Sequence, residues 1–166
     1  MSEPWKDFES NILSHSKINN LFILKIPEAV RLKKGYRPIR VKTAFDFTAS
    51  IDGLAMFFDA KCVSTRDSWN YAKYMLDDKR IHQWNSLQEA YDKGNISGLL
   101  FWFTQKGLIG WASVPTIRES LKTETYLGPE TAGVVWQSDQ IPIDLRSLTR
   151  EDTCKVKKRF ASANHV

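Results

Sequence analysis

The chain has 166 residues, 42% hydrophobic and 26% charged, which suits one globular domain that buries a core without cross-links. No apolar run approaches the ~18 residues of a membrane span, and Met1 to Lys6 lack the basic-then-apolar order of a signal peptide, so no membrane partner and a cytoplasmic location are expected. A net charge of +5 and a pI near 9.2 favour an anionic partner, while Cys62, Cys154 and three histidines share no zinc-ligand spacing.

Residues 4–18 predict a helix, with Ser2 as a cap, Pro4 in the first turn, and Trp5, Phe8, Ile12 and Leu13 at helical spacing. Glu9 falls inside that apolar stripe, where a carboxylate is costly unless it is paired or binds a cation. Leu21 to Ile26 has the length of a strand and is stopped by Pro27. The segment 31–42 then gathers Arg31, Lys33, Lys34, Arg37, Arg40 and Lys42 without an acid. With Gly35 and Pro38 inside it, the segment reads as a basic excursion from the core that could follow phosphates.

Residues 43–63 carry two β-prone runs joined by Asp52-Gly53, a dipeptide favoured in two-residue hairpin turns. Helical spacing returns over 79–93, with Ile81, Trp84, Leu87 and Tyr91 on one face and Gly94 at the end. Within this helix, Gln83 borders the apolar face and His82 is expected at the surface. Strands are expected at 97–103 and 107–114, and a short helix from Pro115 to about Lys122. Residues 123–150 hold turns and room for one more strand, and residues 151–166 read as a basic tail containing Lys155, Lys157, Lys158 and Arg159. The order of elements predicts a single domain with a central mixed sheet flanked by helices.

Chemistry concentrates on the hairpin. If Asp52 and Gly53 form the turn, residue 51 faces 54, and stepping outward brings Asp46 opposite Asp59. Cross-strand partners have Cβ atoms only ~4.5–5.5 Å apart on one face of the sheet. Lys61, two residues beyond Asp59, shares that face, and Cys62 points to the other. Two carboxylates so close repel each other and call for a cation. Mg²⁺, with Mn²⁺ as a substitute, takes few protein carboxylates and completes its shell with water and phosphate oxygens. Phosphodiester hydrolysis is the chemistry this suggests, with Lys61 orienting water or offsetting charge on the phosphate.

Asp46 followed by Asp59-Ala60-Lys61 is similar to the PD-(D/E)xK nuclease signature, without a proline before Asp46. Phe45-Asp46-Phe47 through Phe57-Phe58-Asp59-Ala60-Lys61, Ile81-His82-Gln83 and Phe8-Glu9 together resemble the RecU family of Holliday junction resolvases, over roughly residues 5–115. The resemblance implies a restriction-endonuclease-like α/β fold and a homodimer acting on four-way DNA junctions. It also implies acidic active-site roles for Glu9, Asp46 and Asp59, all three as metal ligands with Asp46 and Asp59 the more direct, a catalytic role for Lys61, and Gln83 reaching the site from its helix. That family carries a long stalk before the first catalytic Asp, and here residues 27–45 are shorter than a full one. Two other readings stand beside it: a repair or restriction-type nuclease using the same centre, and a nucleic-acid-binding module without catalysis.

Overall fold

A computed structural model of the protein describes residues 3–27, 29–31, 39–41, 43–64, 70, 77, 80–123 and 126–163, with backbone alone at 29–31, 39–41 and 163. It is an α/β fold built on a six-stranded mixed sheet with helices on both faces. Helix α1 (Pro4–Ile18) opens with Pro4 in its first turn, has Asp7 near its N-terminus and carries His15 and Lys17 in its last turn, the distribution that suits the helix dipole. The Ser2 cap lies outside the described residues, and Glu3 takes the N-cap position without a side-chain cap.

Strand β1 (Phe22–Lys25) pairs antiparallel with β4 (Phe47–Ile51), which turns at Asp52-Gly53 into the long strand β5 (Leu54–Val63). Both turn residues have positive φ, Asp52 at 51° and Gly53 at 82°, the two left-handed conformations that a type I′ turn demands and that Asp-Gly tolerates. Two short strands, β2 (Ala29–Arg31) and β3 (Ile39–Val41), pair only with each other, in a sheet separate from the six-stranded one. The described residues of segment 31–42, Arg31 and Ile39–Val41, thus belong to a small ribbon of their own.

From β5 the chain crosses through α2 (Ile81–Asp92) to β6 (Ile96–Phe103), which lies parallel to β5. Antiparallel β7 (Leu108–Ser113) and β8 (Val135–Ser138) complete the sheet, with α3 (Val114–Thr123) between them. Strand β6 is nearly all buried, because α1 and the C-terminal helices cover one face and α2 and α3 the other. This explains its uninterrupted apolar run.

The segment expected to be a basic tail is instead helical. A short α4 (Leu145–Leu148), capped by Asp144, leads into α5 (Arg150–Ala163), and Leu145, Leu148 and Val156 are buried against the α1 face of the sheet. Asp152, also buried, accepts a 2.8 Å hydrogen bond from Trp111 Nε1. At the other end of α5, Arg159 donates to the Tyr91 hydroxyl and stacks 4.7 Å from its ring. Basic residues cover the outside of this helix while its inner stripe holds it to the sheet. Among the described residues, no helix is long and apolar enough to cross a membrane.

Candidate active site

The predicted hairpin register holds: Ile51 faces Leu54, Ala49 faces Met56 and Phe47 faces Phe58. Phe47 and Phe58 are fully buried and stack at 5.2 Å on the α1 face. Truncating such a ring typically costs ~3–5 kcal/mol, so this face fixes the register firmly. The alternate residues of β5, Phe57, Asp59, Lys61 and Val63, therefore point to the α2 face.

One step beyond the last paired residues, Asp46 and Asp59 meet. The Asp46 N–H donates to Asp59 Oδ1 at 2.9 Å, and the Ala60 N–H donates to Asp46 Oδ2 at 3.2 Å. Strand β1 braces this point, with the Ile26 N–H donating to the Asp46 carbonyl at 2.8 Å. Lys61 Nζ stands 3.5 Å from Asp59 Oδ2 and 3.7 Å from Asp46 Oδ2. Asp59 has no exposed side-chain surface, whereas Asp46 and Lys61 keep 27% and 22%, so the cluster opens to solvent on the Asp46 side.

Burial pushes the Asp59 carboxyl up to about 6; the Lys61 charge pulls it down and the Asp46 carboxylate raises it. Lys61 outweighs the Asp46 carboxylate, and it is the loss of hydration on burial that leaves the charged form of Asp59 disfavoured. A small divalent ion beside them would restore the charged form of Asp59. The donor chemistry fits Mg²⁺ or Mn²⁺: hard carboxylate oxygens from Asp46 and Asp59, with the exposed side of Asp46 facing solvent, the source of the remaining oxygen ligands.

Glu9 does not join this pair. It lies on α1 and forms an ion pair with Lys25. Lys25 is registered opposite Phe47 and so belongs to the α1 face. Glu9 therefore stands at the same end of the sheet as Asp46 but across it. Among the described residues no group of three or more His, Cys, Asp and Glu side chains gathers to hold a metal, and the carboxylate set here is the pair alone.

Gln83 is half-buried in the first turn of α2. Because α2 returns between two parallel strands, it runs against β5; Ser86 and Ala90 share a groove with Phe57, which puts the Gln83 turn toward the Asp59–Lys61 end. Its neighbour His82 is half-buried rather than on the surface, and its Nε2 has no hydrogen-bond partner among the described residues. Of the basic segment, Arg31 and Arg40 stand on the ribbon strands with only their backbone described; Lys33, Lys34, Arg37 and Lys42 lie outside the described residues.

A feature not anticipated from sequence is built on residues beside the acids in the chain. Phe45 and Phe57, whose ring centroids are 4.9 Å apart, floor a groove of about 280 Å³ rimmed by Ser86, Glu89 and Lys93. The available signal was an aromatic residue immediately before Asp46 and another two residues before Asp59. Neither thiol is in a disulfide, and burial, followed by the Asp7 charge, raises the Cys62 pKa. Comparison with protein-family models and with curated proteins gives no match.

Proposed function

We propose that the protein is a metal-dependent endodeoxyribonuclease that cuts branched DNA, with the four-way junction as its preferred substrate, making it a Holliday junction resolvase. The observation that carries this reading is the cluster of Asp46, Asp59 and Lys61 on facing strands, with one acid wholly buried and both within 4 Å of the lysine ammonium. A structural ion pair needs only one acid per lysine. Two acids around one lysine leave room for a second cation, and a phosphodiester is the substrate class that brings its own oxygens to such a cation.

In this reading, Asp46 and Asp59 hold Mg²⁺ or Mn²⁺. When bound, the ion supplies Lewis acidity toward water and toward a phosphate oxygen. Lys61 holds positive charge at the mouth of the cluster, against the charge that builds on the phosphate during attack. The backbone N–H groups of Asp46 and Ala60 orient the two carboxylates, so that little reorganisation is needed when substrate arrives. The basic ribbon segment precedes the catalytic acid in the chain and supplies phosphate contacts. Symmetric cutting of a junction needs two centres, so the active form is a two-fold homodimer.

The test is a side-by-side panel of four-way junction, flap, linear duplex and single strand, with Mg²⁺ and with chelator, alongside light scattering. The expected result is junction cleavage by a dimer, abolished by chelation. Equal cleavage of linear duplex would indicate a repair or restriction-type nuclease, and binding without cleavage on any substrate would indicate a binding module.

A further inference from the structure

At the far end of the β4–β5 hairpin from the catalytic acids, the tip meets α4 and the start of α5 around a cavity of about 300 Å³. Six residues of extended strand separate Asp46 from Asp52, roughly 20 Å, so this is a separate place on the molecule. Its lining includes three cationic side chains, Arg146, Arg150 and Lys157, and one carboxylate, Asp52. Thr153 and Cys154 also line it.

The one acid is only loosely engaged. Arg146 Nε is 3.6 Å from Asp52 Oδ1 and Lys157 Nζ is 3.8 Å from Oδ2, beyond normal hydrogen-bond length. Arg150 has no ion pair among the described residues. Arg146 is nevertheless held in place, because its Nη1 donates to the Asn19 carbonyl at 3.1 Å. Two guanidinium groups and an ammonium thus line one cavity, and their charge exceeds that of Asp52. Guanidinium forks match the oxygens of a phosphate, and several such donors around one space suit a tetrahedral oxyanion better than a planar carboxylate.

We propose that this cavity is a phosphate-binding site, distinct from the catalytic cluster, that takes a phosphate group through Arg146, Arg150 and Lys157. The phosphate could come from a nucleic-acid backbone or from a free polyphosphate. Asp52 acts as a weak internal competitor for Arg146 and Lys157.

Cys154 supplies the readout. Its alkylation by iodoacetamide, followed by peptide mass spectrometry so that Cys62 is scored separately, is measured in the full chain at constant ionic strength with pyrophosphate or with a duplex oligonucleotide. Pyrophosphate at ten times its Kd should slow alkylation of Cys154 roughly tenfold by mass action. Protection by duplex at phosphate concentrations where pyrophosphate has no effect would assign the site to a nucleic-acid backbone; protection by pyrophosphate alone would assign it to a free polyphosphate. Arg150→Gln and Lys157→Gln, on exposed positions with unchanged melting, should each raise the half-protecting concentration about tenfold, the value of one charge-assisted contact. Asp52→Asn should act the opposite way and lower it, because Asn-Gly also suits a type I′ turn while the competing charge is gone. Alkylation rates that neither probe changes, or protection indifferent to all three substitutions, would overturn the proposal. The readout does not require cleavage, so failure of the nuclease reading would leave it intact.

Discussion

The Asp46 backbone N–H donates to the buried Asp59 carboxylate at 2.9 Å, so the second acid is aimed by the backbone of the first. Because the pair is built on backbone geometry, changing either side chain should leave the hairpin standing. Asp46→Asn, Asp59→Asn and Lys61→Ala should each lower cleavage at least ~100-fold, from loss of metal or of transition-state charge stabilisation. Mn²⁺ at 100 times its Kd should stabilise the wild type by about 2.7 kcal/mol, visible as a rise in Tm. That rise should vanish in Asp59→Asn, and wild-type cleavage by this variant would remove the assignment.

Glu9 is engaged with Lys25 across the sheet from the acids, which predicts a milder role. Glu9→Gln should reduce cleavage less than Asp59→Asn does and should keep the Mn²⁺-induced rise in Tm. Its stability should change little, since pairs this exposed are worth about 0–1 kcal/mol. A loss of cleavage and of metal response equal to that of Asp59→Asn would show Glu9 moving to the metal.

Asp152 is buried on the inner face of α5, and burial raises its pKa above the ordinary carboxylate value of 3.8 against the opposing hydrogen bond from Trp111. The folded protein thus disfavours the charged form relative to the unfolded chain. The associated stability is fully present below 3.8 and is lost as pH rises through the folded-state value. Asp152→Asn, whose amide oxygen can still accept from Trp111, should therefore melt above the wild type at neutral pH, with the gap closing as the solution is acidified. Asp152→Ala should be destabilised by about 1–3 kcal/mol, because it orphans the indole N–H. A pH-independent gap between wild type and Asp152→Asn would show that the charge is not the cause.

The basic segment offers a salt-dependence test. Replacing Lys33, Lys34, Arg37 and Arg40 together by alanine should weaken DNA binding and flatten the plot of log affinity against log salt by up to about four contacts' worth. Sequence preference should be unchanged, since phosphate contacts position a duplex without reading it. Junction binding should suffer more than linear-duplex binding if the segment serves as a reduced stalk. An unchanged salt slope would place the segment away from the DNA.

The parts of the fold that were legible from sequence are those specified by local signals. Asp52-Gly53 names its own turn, and alternation on either side gives the register that brings Asp46 to Asp59. The C-terminal helices were missed because their inner stripe, Leu145, Leu148, Asp152 and Val156, has an acid in it, and surrounding lysines make it read as solvated. What brings Asp152 inside is Trp111, on a strand distant in sequence. Glu9 shows the same limitation near the candidate site. Its place in an apolar stripe marked it as needing a cation, but only the pairing of β1 with β4 identifies Lys25 as the partner. His82, expected outside, is half-buried for a similarly nonlocal reason, the docking of α2 over β5 and β6.

The two-residue turn at Asp52-Gly53 also makes the proposed active site unusually sensitive to chain length. Side chains alternate along a strand, so a single codon inserted at the tip would either bulge out there or slide β5 by one step and swing Asp59 and Lys61 toward the α1 face. The aromatic pair Phe47–Phe58 opposes the slide, since it would carry Phe58 out of the core. The spacing of Asp46 and Asp59 is therefore held by the hydrophobic side of the hairpin. Length variants that survive selection for folding should be those that absorb the extra residue at the tip, beside the phosphate cavity, and leave the distance between the two acids untouched.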